Sequence, residues 1–357
     1  MRLLVTGGAG FVGSSLAILF KAAEPDADVV TFDNLRRRGS ELNLPRLKAA
    51  GVRFAHGDVR SPSDLALLGA FDWLIECSAE PSVHAGYGSD PRYVVDTNLG
   101  GAINCLNHLR QTGGRLIFLS SSRVYPIEPL RDLPLEEKQS RFALEKGNAA
   151  RGWSSLGINE SFPLAGVRSL YGATKLAAEL LIQEYGSMYD MPAVVNRCGV
   201  IAGPWQMGKV DQGFVALWVA RHFFGRELSY IGFGGSGRQV RDVLDIRDLF
   251  DLIVLQMSKL EICGGHIYNV GGGVDRSTSL VELTKLTQEV TGRSIIVGRN
   301  SKTTVADVPY YVSDNSRVSR DLGWTPKRTN RETIESIYEW LQDNTEPLRA
   351  LFDPNCP

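Results

Sequence analysis

Tyr171 and Lys175 stand four residues apart in Tyr171-Gly-Ala-Thr-Lys175, so a helix through them puts the phenol and the ammonium on one face. A phenol is a poor base at neutral pH. A neighbouring ammonium favours the phenolate, and a positively charged ring beside it would do so further. Such a pair can take a proton from a hydroxyl while a hydride leaves the carbon that bears it. A hydride needs an acceptor, and residues 5–13 read Val-Thr-Gly-Gly-Ala-Gly-Phe-Val-Gly, the spacing of a loop that cradles a dinucleotide's phosphates. A third group, Ser120-Ser121-Ser122, follows an apolar β-prone run, where one hydroxyl could bond an oxygen as it becomes a carbonyl.

These side chains need a scaffold, and the hydrophobic pattern supplies one. Short runs at 3–6, 29–32, 52–55, 73–76, 116–119 and 193–196 read as strands, and apolar spacings of three and four at 11–22, 99–111 and 174–188 read as helices. Their alternation predicts an α/β, Rossmann-like doubly wound parallel sheet with a smaller, sequence-interleaved α/β substrate lobe. The expected division is a dinucleotide-binding domain at 1–203, to which a strand and helix at about 241–258 return. The second lobe takes 204–240 and 259–345, with helices at 279–291 and 331–342, and 346–357 is a tail. Residues 204–240 are rich in Gly, Trp and Phe, with two short candidate strands. Residues 126–170 are polar and irregular, and a loop of that length is usually functional or mobile.

Within the first domain, Gly7 allows the tight turn, Gly10 lets backbone approach a pyrophosphate, and Gly13 lets a helix sit close to the sheet. The helix N-terminus then attracts the negative charge. Asp33 ends the next strand, 20 residues after Gly13, where a carboxylate accepts hydrogen bonds from the adenosine ribose and repels a 2′-phosphate. NAD is therefore expected over NADP, although Arg36, Arg37 and Arg38 follow closely and could hold a phosphate or simply be solvated. Asp58 could bond the adenine amino group or cap a turn. Cys77-Ser78-Ala79-Glu80 offers small residues past which a cofactor can lie, and Cys198 ends the strand after the Tyr171 helix. The residues expected at the cofactor are Gly7, Gly10, Phe11, Val12, Asp33, Asn34, Asp58, Val59, Cys77, Ala79, Asn98, Tyr171, Lys175 and Cys198. Those expected at the substrate are Glu80, Arg123, Gln206, Gln212 and Arg241, with Asp211-Gln212-Gly213 as a bordering loop. A guanidinium fork matches diphosphate oxygens, which suggests Arg241 and also Arg238, although Arg241 could instead pair with Asp242 or Asp245. Trp205, Trp218, Phe223 and Phe224 read as core more readily than as platforms for a base.

Composition narrows the class. The 357 residues carry 39 basic and 40 acidic side chains, which gives no electrostatic case for nucleic acid or an anionic membrane. Five scattered cysteines without Cys-x-x-Cys spacing suggest reduced thiols, a cytosolic location and no metal site. Gly7, Gly8, Gly10 and Gly13 interrupt the opening apolar run, which argues against a signal peptide.

Several of these segments together resemble a known family. Thr6–Gly13, Asp33-Asn34-Leu35, Gly57-Asp58-Val59, Ser120–Tyr125, Tyr171–Lys175, Gly237–Val243 and Tyr268–Gly272 are similar to the extended short-chain dehydrogenases/reductases of the NAD-dependent sugar-nucleotide epimerase/dehydratase group. The resemblance runs from residue 1 to about 345. It implies that Ser121, four positions before Tyr125, is the catalytic serine beside Tyr171 and Lys175, and that NAD is the cofactor. Within the group the chain most resembles the CDP-tyvelose (CDP-paratose) 2-epimerases, through 32–39, 159–161, 211–213 and 237–244. That implies oxidation of a CDP-hexose at C2 and hydride return to the other face, in a homodimer or homotetramer whose helices near 100–111 and 174–188 pair. A nucleotide-sugar 4-epimerase would use the same three side chains. Dehydratases of the superfamily place an Asp-Glu pair beside the catalytic hydroxyl, where the corresponding stretch here reads Ser121-Ser122-Arg123 with no carboxylate, and decarboxylases carry a glutamate in the same stretch.

Overall fold

The computed structural model describes residues 1–209 and 212–352. The strands that position the site are β1 (Arg2–Thr6), β2 (Asp28–Asp33), β3 (Arg53–His56), β4 (Trp73–Glu76), β5 (Arg115–Ser121), β6 (Ala193–Cys198), β7 (Val200–Ala202), β8 (Val240–Asp245), β9 (Ile267–Val270), β10 (Ser277–Ser279) and β11 (Tyr310–Tyr311). The longer helices are α1 (Phe11–Ala23), α2 (Gly101–Thr112), α3 (Leu170–Tyr189), α4 (Phe214–Phe223), α5 (Ile246–Ser258), α6 (Leu280–Thr291) and α7 (Asn330–Asp343). Seven strands form one parallel sheet in the order β9-β6-β5-β4-β1-β2-β3. The order reverses between β1 and β4, and ligands of open α/β sheets sit outside the strand carboxyl ends at such a point.

Alternation along the strands sends side chains into two cores. Leu3, Val5, Ile75, Ile117 and Val194 pack on one face with Leu16 of α1 and Leu249, Leu252 and Ile253 of α5. Leu4, Val30, Leu74, Phe118 and Val195 pack on the other with Leu106 of α2 and Ala178 and Ile182 of α3. Both faces are covered, as a doubly wound parallel sheet requires. A smaller sheet centres on β8, which pairs with β7, β10 and β11, and a third core of α4, α6 and α7 residues lies beyond it.

The structure departs from the expected plan in four places. The strand at 240–245 was expected to rejoin the large sheet; it lies in the small one, and β9, from the stretch given to the second lobe, forms the edge instead. The sequence of β8, Val-Arg-Asp-Val-Leu-Asp, carries three charged residues, Arg241, Asp242 and Asp245, which does not suit a place between two helical layers. Its following helix, α5, packs on the large sheet, with Leu244 from β8 reaching the same core. Residues 204–240 contain a ten-residue helix, α4, whose side chains from Val215 to Ala220 are all buried, so no amphipathic period marked it. Residues 126–170 hold a short helix, Ile127–Arg131, and two small hairpins. The expected tail at 346–357 begins as the helix Thr345–Phe352, with Leu348 and Phe352 buried.

Helix α3, which carries Tyr171 and Lys175, begins at Ser169, whose Oγ accepts from the Gly172 N–H at 3.2 Å. One turn past Lys175 on the same face, Glu179 is buried and accepts from Ser120 Oγ at 2.5 Å and from Arg197 Nη2 at 2.7 Å. Arg197 also donates to Tyr125 Oη at 3.1 Å, and that hydroxyl donates to Asn269 Oδ1 at 2.8 Å. The network ties α3 to β5, β6 and β9. Removing one member of a buried ion pair leaves the other uncompensated, which costs about 3–5 kcal/mol. Glu179→Ala should therefore lower unfolding stability by about that amount in urea denaturation; a loss within 0.5 kcal/mol, the range of ordinary surface changes, would mean that the pair does not hold the helix.

Candidate active site

Two adjoining cavities open at the carboxyl ends of the large sheet. One, of about 410 Å³, is lined by the β1–α1 loop, the end of β2 and residues 77–81. The other, of about 540 Å³, lies between the ends of β5 and β6, the start of α3 and the small sheet. Phe11, Val12, Cys77, Ala79, Pro81, Gln206 and Gln212 border both.

The first cavity has the features a dinucleotide requires. Gly7 has φ +61°, and a Cβ on it would stand 2.7 Å from the Cys77 carbonyl; one on Gly13 would stand 2.4 Å from the Gly7 carbonyl. Gly10 caps α1 without a side-chain acceptor, leaving the first-turn N–H groups open to an anion. Asp33 accepts from the backbone N–H of Leu35 at 2.8 Å and of Ala9 at 3.1 Å, which fixes the carboxylate at the strand end. Burial pushes the Asp33 carboxyl up, against the lowering effect of those N–H groups. Thr97 Oγ1 and Gln206 Oε1 are buried at this cavity with no hydrogen-bond partner among the described residues. An uncapped helix start beside a glycine-rich loop fits the phosphates of such a ligand, and Thr97 Oγ1 and the acceptor Gln206 Oε1 remain to bond its other polar groups.

The second cavity gathers Ser121, Tyr171 and Lys175, together with Cys77, Cys198, Arg123, Gln206, Gln212 and Arg241. Lys175 is buried, 3.4 Å from Glu76 Oε2 and 4.5 Å above the Phe118 ring centre. Burial works against its charge, but the Glu76 carboxylate and the Tyr171 phenol outweigh it and hold the ammonium above its ordinary value. Burial raises the Glu76 carboxyl, opposed by Lys175. Burial likewise raises the Cys77 and Cys198 thiols, Cys198 to about 12, so both stay protonated at neutral pH. Ser121 Oγ accepts from the Arg123 N–H at 3.1 Å at the end of β5.

Some expected residues lie elsewhere. Asp58 lines neither cavity: it accepts from Asn34 Nδ2 at 2.8 Å and pairs with Arg60 at 2.7 Å, and Arg60 holds its carboxyl down to about 2. Asn98 is buried and brackets the Glu80 backbone, accepting from its N–H and donating to its C=O. Glu80, expected at the substrate, lines the first cavity only. Gly7, Gly10, Asn34, Val59 and Ala79 also line that cavity. Arg238 faces Glu137 and the Gln139 carbonyl, outside both. Arg241 does line the second cavity, pairing with Asp307 at 2.8 Å, not with Asp242 or Asp245. Arg37 donates to the Met207 carbonyl and Gln212, and Arg36 stacks on Tyr93. Asp211 lies outside the described residues. Trp218 is core but shows an edge to the second cavity. Glu76 escaped the sequence reading; its one signal is a carboxylate in the otherwise apolar strand Trp-Leu-Ile-Glu.

The model of the NAD-dependent epimerase/dehydratase family matches residues 3–271. The chain belongs to that family. A CDP-paratose 2-epimerase of Salmonella typhi is 29% identical over 353 residues, covering 95% of this chain and 99% of that protein. A dTDP-glucose 4,6-dehydratase of Mycobacterium tuberculosis is 27% identical over 362 residues, covering 99% and 97%. The solved UDP-glucose 4-epimerase of Thermus thermophilus, in complex with NAD, superposes with a TM-score of 0.75 at 26% identity, covering 96% of this chain and 99% of that one. The cofactor of this epimerase/dehydratase family member is NAD. Among the described residues no helix is long and apolar enough to cross a membrane.

If the glycine cradle binds the dinucleotide, Gly13→Ala, which drives a methyl into the Gly7 carbonyl, should weaken NAD binding at least about tenfold. Calorimetric titration of the purified variant checks this, and unchanged affinity would place the cofactor elsewhere.

Proposed function

We propose that this protein is a nucleotide-sugar 2-epimerase acting on a CDP-linked hexose, with a nucleotide-sugar 4-epimerase as the alternative. The observation that carries an epimerase reading is the stretch Ser121-Ser122-Arg123. All three line the second cavity beside Tyr171 and Lys175, and they bring no carboxylate where a dehydratase would place its acid and base. The Salmonella relative, a CDP-paratose 2-epimerase, supports the 2-epimerase over the 4-epimerase, while the Thermus structure supports the latter.

Tyr171 takes the proton of the sugar hydroxyl and later returns it. Lys175, kept cationic by Glu76, favours the phenolate through its charge and can bond the ribose of the bound dinucleotide. Ser121 bonds the sugar oxygen as it becomes a carbonyl, in a place fixed by the end of β5. NAD, when bound, supplies the acceptor for the carbon's hydride and the donor for its return. Cys77 and Cys198 serve as small protonated walls, since burial keeps both thiols from acting as nucleophiles. Arg241 and Arg123, which both line the cavity, are suited to the diphosphate. Exposed Leu180, Met188 and Tyr189 on α3 suit an association of subunits along that helix, in a homodimer or homotetramer.

Tyr171→Phe should cut turnover by a factor of about 100 or more while leaving NAD and nucleotide affinities near normal; a near-normal rate would remove Tyr171 from the proton transfer. Incubation with CDP-, UDP-, GDP- and dTDP-hexoses in deuterated water, followed by proton NMR, should give a C2-inverted CDP-sugar with no deuterium at the inverted carbon. Inversion at C4 would establish the alternative, and deuterium incorporation would rule out direct hydride return.

A further inference from the structure

Helices α4 and α6 and the short strand Leu228–Ile231 supply part of the second cavity's wall, where Phe214, Trp218, Ser229, Ile231 and Leu280 lie together with Gln239. Gln239 immediately precedes β8. Val240 turns into a core, while Gln239 and Arg241 on either side of it both line the cavity, as alternation along an extended chain requires. Two residues of extended rise separate them by about 7 Å. Gln239 is 8% exposed, and its amide is held in one orientation. The Nε2 donates to the Ile231 carbonyl at 2.8 Å; a carbonyl takes only a donor, so the amide cannot be turned over. That leaves Oε1 as the free end. It is buried and has no hydrogen-bond partner among the described residues. An acceptor in such a place is costly unless a ligand brings it a donor.

We propose that Gln239 selects the base of the nucleotide sugar, its Oε1 accepting a hydrogen bond from the exocyclic amino group of a cytosine. This rests on the reading of the second cavity as a nucleotide-sugar site, and it adds the side chain that chooses the base. With the diphosphate at Arg241, the nucleoside is the part of the ligand that meets the wall of α4 and α6, because Ser121, Tyr171 and Lys175 hold the sugar at the large sheet. Position 4 of a pyrimidine lies opposite the nitrogen that bears the ribose, so its substituent reaches farthest into the protein. Cytosine has an N–H donor there. Uracil and thymine have a carbonyl oxygen, which would face Oε1 as a second acceptor and leave both without a hydrogen. Phe214, Trp218, Ile231 and Leu280 suit the faces of a flat ring, and their side chains offer no competing acceptor.

Calorimetric titration of the NAD-loaded protein with nucleoside diphosphates tests this without any sugar. CDP should bind at least about tenfold more tightly than UDP, and also than the 5′-diphosphate of pyrimidin-2-one riboside, which has only hydrogen at position 4. Gln239→Leu should bring CDP to the affinity of UDP while moving UDP by less than about twofold. A variant that weakens both ligands equally would mean a merely structural residue and overturn the proposal. So would a wild type that binds UDP or the pyrimidinone as tightly as CDP, a result that needs no variant to fold. The two readings fail separately. Inversion of a CDP-hexose by a protein that does not distinguish CDP from the pyrimidinone overturns the role of Gln239 alone. A CDP preference that Gln239→Leu abolishes, with no sugar nucleotide inverted, overturns the epimerase reading alone.

Discussion

A carboxylate buried at Glu179 dictates where the helix carrying Tyr171 and Lys175 can lie. Taking a charge out of water is costly unless its partners meet it in good geometry, so α3 cannot turn or slide without leaving Glu179 and Arg197 unpaired. The partners come from the sheet: Ser120 on β5 and Arg197 on β6. Ser120 precedes Ser121, so the contact that sets the rotation of the helix also sets the strand end that presents the neighbouring hydroxyl. A second buried pair, Lys175 with Glu76 on β4, repeats the constraint one turn earlier. Side chains at 171, 175 and 179 thus form one stripe, held by three adjacent strands.

The first half of the fold is legible because its signals are local. Short apolar runs marked the six strands from 3 to 196, and each lies within two residues of where it was expected, because burial on both faces left few polar residues inside them. The glycine loop and Asp33 were legible for the same reason, since turn, helix start and strand end follow one another in the chain. Glu76, Glu179 and Arg197 were not. Each is a polar residue in an apolar element, and its meaning rests on a partner 18 to 99 residues away. The exchange of β8 for β9 at the sheet edge was also hidden, because two short strands close in sequence do not declare which sheet each will join. For Arg238 and Arg241, three residues apart on one segment, only the fold shows that one faces Glu137 and the other the cavity.

The cofactor and substrate cavities share walls to an unusual degree. Gln206 and Gln212 border both, and the same loop is gripped by Arg37 from the end of the β2 region. Trp205, at φ +68°, turns the chain there and rests against Trp340 and the Arg46 guanidinium. A residue other than glycine in that region of backbone space costs energy, which the surrounding ring contacts offset. Gln206 and Gln212 are thus side chains at which the two cavities meet.

The edge strand β9 returns to the large sheet only after the chain has built β7, α4, β8 and α5. A polypeptide stopped at residue 203 would thus leave the whole hydrogen-bonding margin of β6 bare, from Val195 to Cys198. Bare margins of apolar strands recruit other chains. A single crossover at that point would therefore exchange α5 and the edge strand β9 of the large sheet together with the smaller lobe.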